Sequence, residues 1–140
     1  MPDDLTTEQR RYCMSRVKGK DTGLERLVRS ELHKRGLRFR KHTRKLPGKP
    51  DIVFKREKVV VFLDGDFWHG YRFPNWRKKI PKFWQKKIGE TRLRDRRNFA
   101  KLRRMGWVVL RIWEHSIERD IEWVIKRILR LVRARGVGRR

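Results

Sequence analysis

Apolar positions recur along this chain in two rhythms, one helical and one alternating or continuous. Thr6-Thr7-Glu8-Gln9 joins a Thr N-cap to a Gln at the third helical position and predicts a mostly polar helix to about Val17. After Gly19-Lys20-Asp21, the stretch Thr22-Gly23-Leu24-Glu25 opens a second helix, with Leu24, Leu27, Val28 and Leu32 on one face and Gly36 at its end. The rhythm then shortens. Leu37 to His42 reads as a strand, Leu46-Pro47-Gly48-Lys49-Pro50 as a rigid turn, and Asp51-Ile52-Val53-Phe54 as the next strand. Lys55-Arg56-Glu57-Lys58 links this to Val59-Val60-Val61-Phe62-Leu63, a run expected to be buried on both faces.

From Asp64 to Pro81 the chain is irregular and aromatic, punctuated by Gly65, Gly70, Pro74 and Pro81, and loops of this length are usually functional. Lys82 to Met105 predicts a basic helix stopped by Gly106, and Trp107 to Trp113 a central strand. Ser116 is read as the cap of a final helix with Ile117, Ile121, Val124, Ile125, Ile128 and Leu131 as its apolar stripe. Arg133 to Arg140 is read as a frayed basic tail. This order predicts an α/β protein, a small mixed central β-sheet flanked by helices, in a single domain over residues 1–140.

Composition adds a partner. Forty-one Lys+Arg against 16 Asp+Glu give 41 − 16 = +25 charges over 140 residues, a surface that attracts a polyanion. Nucleic acid is favoured over acidic lipid, because the basic residues lie on amphipathic helices whose apolar faces already have strands to cover. No long apolar run suggests a membrane span, and the N-terminus lacks the order of a secretory signal. The single Cys13 excludes an intramolecular disulfide and a Cys-rich zinc site, which fits a reducing, cytoplasmic setting.

In so basic a chain, carboxylates at the ends of central strands need a reason, since burial strips their hydration. Asp51 begins one hairpin strand and Asp64 ends the other, so antiparallel pairing would bring them together, as a hard oxygen site for Mg²⁺ requires. His69 follows on the loop, with an ordinary pKa suited to a general base, and Glu25 on the second helix is a fourth candidate. Each has a plainer reading: Glu25 as part of a Thr22-x-x-Glu25 capping box, Asp51 as acceptor of turn amides, Asp64-Gly65 as a turn, His69 as a partly buried imidazole. Beyond them, Phe67, Trp68, Tyr71, Phe73, Trp76, Phe83 and Trp84 alternate with Arg72, Arg77, Lys78, Lys79, Lys82, Lys86 and Lys87. That interleaving suits cations on phosphates and rings on bases. Tyr71, Phe73 and Phe83 are assigned to the core, Phe67 and Trp68 to DNA contact.

These stretches together resemble the very-short-patch repair (Vsr) mismatch endonucleases, a branch of the restriction-endonuclease-like PD-(D/E)xK fold. The resemblance rests on Met14, Asp21-Thr22-x-x-Glu25, Gly36-Leu37-x-Phe39-Arg40, Leu46-Pro47-Gly48-Lys49-Pro50-Asp51 and Val61-Phe62-x-x-Gly65-x-Phe67-Trp68-His69. It continues through Phe83-Trp84-x-x-Lys87-Ile88-Gly89, Arg94-Asp95-Arg96-Arg97 and Gly106-Trp107-x-Val109-Leu110-x-x-Trp113-Glu114. It implies a monomeric prokaryotic enzyme, associated with the nucleoid, that uses Mg²⁺ or Mn²⁺ to nick duplex DNA 5′ to the thymine of a T·G mismatch. By the same resemblance Asp51 and the Leu63 main-chain carbonyl bind the metal, His69 is the general base and Glu25 orders water. Phe67, Trp68 and Trp84 wedge beside the mismatch. Met14 enters from the minor-groove side within an N-terminal arm over residues 1–20, and Lys87, Arg96 and Arg97 are further expected DNA contacts.

Two departures alter these expectations. Leu63-Asp64 stands where familiar members have Thr-His, so Asp64 is a candidate direct metal ligand. The family's zinc-binding Cys and His positions correspond to Asp66, Tyr71, Phe73 and His115, of which Tyr and Phe cannot replace thiolate or imidazole. No structural zinc is expected; instead Tyr71 and Phe73 should fill the space and Asp66 should pair with His115. A homing- or restriction-type nuclease of the same fold with another site preference, and a DNA-binding module without catalysis, are the alternative readings.

Overall fold

The computed structural model describes residues 23–41 and 43–137. The helix expected at Thr6–Val17, Cys13, Met14, the Thr22 cap and the last three residues of the basic tail lie outside the described residues. Helix α1 spans Gly23–Lys34. It ends where Gly36 takes φ 78°, so that the Gly36 and Leu37 amides return to the His33 and Leu32 carbonyls at 2.9 and 3.2 Å. Strands β1 (Arg40–Lys41), β2 (Ile52–Phe54), β3 (Val59–Asp64) and β4 (Val108–Trp113) form one sheet in the order β1-β2-β3-β4. The first two pairings are antiparallel and the β3–β4 pairing is parallel. A parallel neighbour needs a long crossover. Here it contains α2 (Phe73–Trp76), a 3₁₀ turn (Arg77–Lys79) and the long helix α3 (Lys82–Arg104), and β4 leads on to α4 (Glu114–Arg119) and α5 (Ile121–Val137).

Strand β3 is buried at every position, as its β-branched run predicts. Val59, Val61 and Leu63 join Leu110 and Ile112 of β4 against Val28, Leu32, Ile125 and Ile128 of α1 and α5. On the opposite face Val60 and Phe62 join Val53, Phe99, Leu102 and Trp107 under α3. The expected mixed sheet between helices is thus present, and among the described residues no helix is long and apolar enough to cross a membrane.

Four local expectations are corrected. Of the strand expected at Leu37–His42 the described residues form Arg40–Lys41, paired with Val53 and Ile52, while Phe39 instead stacks on His33, 4.5 Å between centroids, and His42 lies outside the described residues. Leu27 is exposed, so the apolar stripe of α1 is narrower than its spacing suggests. Ser116 lies within α4 and caps nothing; Asp120 caps the last helix, its Oδ1 accepting the Trp123 amide at 3.0 Å. The tail is helical as far as Val137, anchored by buried Val132 and by Arg135 Nε donating to the Glu57 carbonyl at 3.2 Å.

Candidate active site

Pro50-Asp51 delivers a carboxylate to the start of β2. The Asp51 amide donates to the Val61 carbonyl at 3.0 Å, and the Asp51 Oδ2 accepts the Leu63 amide at 2.6 Å, with only 2% of the residue exposed. Asp64, 5% exposed, is the last residue of β3. The hairpin register, Ile52 opposite Val61, therefore brings Asp51 to the β3 end that carries Asp64.

Asp64 belongs to a closed ring of four charged side chains. Arg111 Nε donates to Asp64 Oδ2 at 2.8 Å and Arg111 Nη2 to Asp95 Oδ2 at 2.6 Å. His69 Nδ1 shares a hydrogen bond with Asp95 Oδ2 at 2.7 Å, while His69 Nε2 lies 3.5 Å from Asp64 Oδ1. Gly70 lets the loop approach α3 this closely: it has φ +70°, and a Cβ there would sit 2.8 Å from Arg92 Cδ and 2.9 Å from Ile88 Cγ2.

Electrostatics follow from this crowding. Burial pushes the Asp64 carboxyl above its ordinary value; His69 and Arg111 oppose the shift, and the Asp51 and Asp95 charges reinforce it. For His69, burial acts to lower the pKa, but the Asp95 hydrogen bond and the Asp64 and Asp95 charges outweigh it and the result is raised. Asp64, His69 and Asp95 each offer a ligand atom, all within 4.8 Å of one another, and Asp51 adds a further buried carboxylate. Hard carboxylate oxygens on a polar, partly open strand end fit Mg²⁺. The two acids keep Oδ1 atoms that Arg111 does not take. This is a metal-dependent nuclease type of centre.

The remaining expected residues lie on α1, on the site loop and on α3. Glu25 is buried on α1 and lies 3.7 Å from Arg29, on a helix packed against α4 and α5. Phe67, expected at the DNA, is buried with Phe73 and Ile88, its ring stacked 5.6 Å from Trp76. Phe83, assigned to the core, is exposed. Helical spacing explains this exposure, since Trp84 and Ile88 take the inward face of α3 and Phe83 shares the outward face with Lys87. Trp68 and Trp84 meet edge to face at 5.1 Å, and both indole N–H groups are buried without a hydrogen-bond partner among the described residues. Arg96 and Arg97 are exposed on α3.

Asp66 pairs with His115, Oδ1 to Nδ1 2.7 Å, as expected, and the Tyr71 ring covers His115 at 4.4 Å. Phe73 turns away into the aromatic cluster, so of the two rings Tyr71 packs at this corner, against Trp113 at 5.0 Å.

Sequence reasoning missed Asp95 and Arg111 as site residues, yet both carried a signal. Asp95 is an acid on the stripe formed by Ile88, Phe99 and Leu102, the buried face of α3. Arg111 falls on the same side of β4 as Val109 and Trp113, facing α3, where a lone cation requires a partner.

A profile described as DNA mismatch endonuclease Vsr matches residues 2–75. The type II nicking enzyme V.XorIIP of Xanthomonas oryzae pv. oryzae is 45% identical over 116 residues, covering 81% of this chain and 85% of that protein. The type II nicking enzyme V.NmeDIP of Neisseria meningitidis serogroup C is 37% identical over 134 residues, covering 94% and 90%. The DNA mismatch endonuclease Vsr of Escherichia coli K12 is 38% identical over 108 residues, covering 74% and 68%.

Proposed function

Because the chain belongs to the Vsr family of DNA mismatch endonucleases, we propose that it is a Mg²⁺-dependent endonuclease that nicks one strand of duplex DNA at a site preference of its own. The observation that carries this reading is the pair of buried acids, Asp51 and Asp64, at one end of a sheet in a chain of net charge +25. Beside them His69 is held by Asp95. Asp51, the Leu63 carbonyl and Asp64 would hold the ion. When bound, Mg²⁺ supplies positive charge at the scissile phosphate and acidity to a coordinated water. His69 takes a proton from the attacking water, and the Asp95 hydrogen bond at Nδ1 leaves Nε2 as the accepting atom. Glu25 orders solvent at the edge of the site. Lys87, Arg96 and Arg97 bind phosphates, and counterion release gives the affinity.

That two of the three relatives above are named nicking enzymes supports a preference distinct from that of the mismatch enzyme. The T·G mismatch remains the second reading. It is supported by the Vsr profile and by Trp68 and Trp84, whose unpartnered indole N–H groups make the aromatic cluster a place where rearrangement against DNA costs few hydrogen bonds.

The test uses end-labelled duplexes, matched or carrying one central T·G pair in several flanking sequences, with Mg²⁺ or EDTA, for the wild type and Asp51→Ala. The expected result is a single-strand nick that needs Mg²⁺ and is absent in Asp51→Ala. Cutting confined to the T strand of T·G duplexes in every context selects the second reading. Salt-sensitive binding without cutting of any duplex overturns the nuclease reading in favour of a DNA-binding module.

A further inference from the structure

Arg111 is a cation placed inside the acidic site by strand parity. It stands opposite Phe62 in the parallel β3–β4 register, two residues before the Asp64–Trp113 pair and so of the same parity, and projects to the α3 side of the sheet. Its guanidinium lies over the Trp113 ring at 4.2 Å and the Phe99 ring at 5.0 Å, which fixes its plane. Within that plane Nε reaches Asp64 and Nη2 reaches Asp95, so one rigid group joins the end of β3 to the middle of α3. The Asp95 oxygen it binds is also the one that holds His69 Nδ1. The position of His69 therefore depends on Arg111 through Asp95, and through Asp64 on its other side at 3.5 Å.

A guanidinium never loses its charge in this setting. Without it, Asp64 and Asp95 would repel each other and the nearby Asp51. With it, one oxygen of each acid is neutralised and the attraction of the cluster for a divalent cation is reduced.

We propose that Arg111 is a positioning residue, a fixed cation of the active site that aligns His69 through Asp95 and limits how tightly Asp64 and Asp95 draw the metal ion. The rate component rests on the nuclease reading above; the metal-affinity component does not.

Arg111→Met keeps apolar contact with Trp113 and Phe99 while removing the charge and the fork, and Arg111→Lys keeps the charge alone. For wild type and both variants the measurements are thermal unfolding, Mn²⁺ binding followed by electron paramagnetic resonance, and single-turnover nicking across a Mg²⁺ titration. Arg111→Met is expected to bind Mn²⁺ several-fold more tightly than wild type yet to nick roughly 10- to 100-fold more slowly at saturating Mg²⁺, as loss of an orienting partner does. Arg111→Lys is expected to keep the wild-type metal affinity and to recover only part of the rate. A merely structural role would lower the folded fraction and leave the metal affinity of the folded protein unchanged.

Unchanged or weaker Mn²⁺ binding by Arg111→Met overturns the proposal, as does a wild-type rate in that variant. Should Arg111→Met fail to fold, Arg111→Lys decides: a full wild-type rate overturns the proposal and a reduced rate with unchanged metal affinity upholds it. A wild type that binds Mn²⁺ but nicks no duplex overturns the nuclease reading, and the affinity comparison then judges Arg111 by itself.

Discussion

On one face of the central sheet Val59, Val61 and Leu63 belong to an apolar cluster with residues of β2, β4, α1, α4 and α5. On the other, the row that begins with Val60 and Phe62 ends at Asp64, beside His69, Asp95 and Arg111. One strand thus serves two environments, divided by the alternation of its side chains. The apolar face gains stability by excluding water. The α3 face gives up that gain at one end to hold ionised groups that need one another, since removing a partner from such a cluster strands a buried charge. Substitutions on the two faces should accordingly separate stability from chemistry.

The sharpest separation is expected at Asp51→Asn. The amide side chain can still accept the Leu63 N–H, so the thermal midpoint should stay near that of wild type. Loss of a metal-binding carboxylate should raise the barrier by about 4 kcal/mol, roughly a thousandfold in nicking rate. Ile128→Ala on the other face is the converse case. Ile128 is fully buried, so about 2–5 kcal/mol of stability should be lost in a urea titration, with the rate per folded molecule unchanged. A large rate change in Ile128→Ala would show that the two faces are coupled and break the comparison.

Gly70→Ala probes the contact between the site loop and α3. A methyl group 2.8 Å from Arg92 Cδ, at φ +70°, must push the loop away and carry His69 with it. Misplacement of about 1 Å costs up to about a hundredfold in rate, so single-turnover nicking should slow by one to two orders of magnitude. Metal binding, which rests on Asp51 and Asp64 at the strand ends, should persist.

A smaller effect is expected in the titration of His69. Its folded pKa is raised, so in Mg²⁺-free protein the imidazole should titrate above the ordinary value of 6.5, observable by NMR. The stability linked to this charge is fully present below the unfolded pKa and is lost as pH rises through the raised folded pKa. Asp95→Asn should move the midpoint down, because the hydrogen bond and charge that oppose burial are weakened. A midpoint unmoved by Asp95→Asn would mean that Asp95 does not set the state of His69.

How much of this was legible in the sequence also divides by face. The apolar face was read almost whole, because a continuous β-branched strand and helical stripes such as Val124, Ile125 and Ile128 need only periodicity to be recognised. The meeting of Asp51 and Asp64 was legible too, since a short hairpin fixes its own register. Asp95 and Arg111 were not, because each gains its meaning from an element distant in sequence: α3 must cross back over the sheet before 64, 95 and 111 converge. The burial of Phe67 and the exposure of Phe83 have a similar origin. Composition places seven rings near the site, but which of them turn inward depends on how the loop folds against Ile88.

The smallest expected effect lies outside both faces, on the exposed side of α3. Arg96 and Arg97 make none of the described ion pairs, so Arg→Ala there should change the free energy of folding by no more than about 0.5 kcal/mol. If each neutralises one phosphate, its removal should lower the slope of log affinity against log salt by about 0.9, and weaken matched and mismatched duplexes alike. Fluorescence anisotropy with labelled duplexes at several salt concentrations measures both quantities. A variant that weakens only one duplex class would move specificity onto α3, and the division between a helix that holds DNA and a strand end that cuts it would fail.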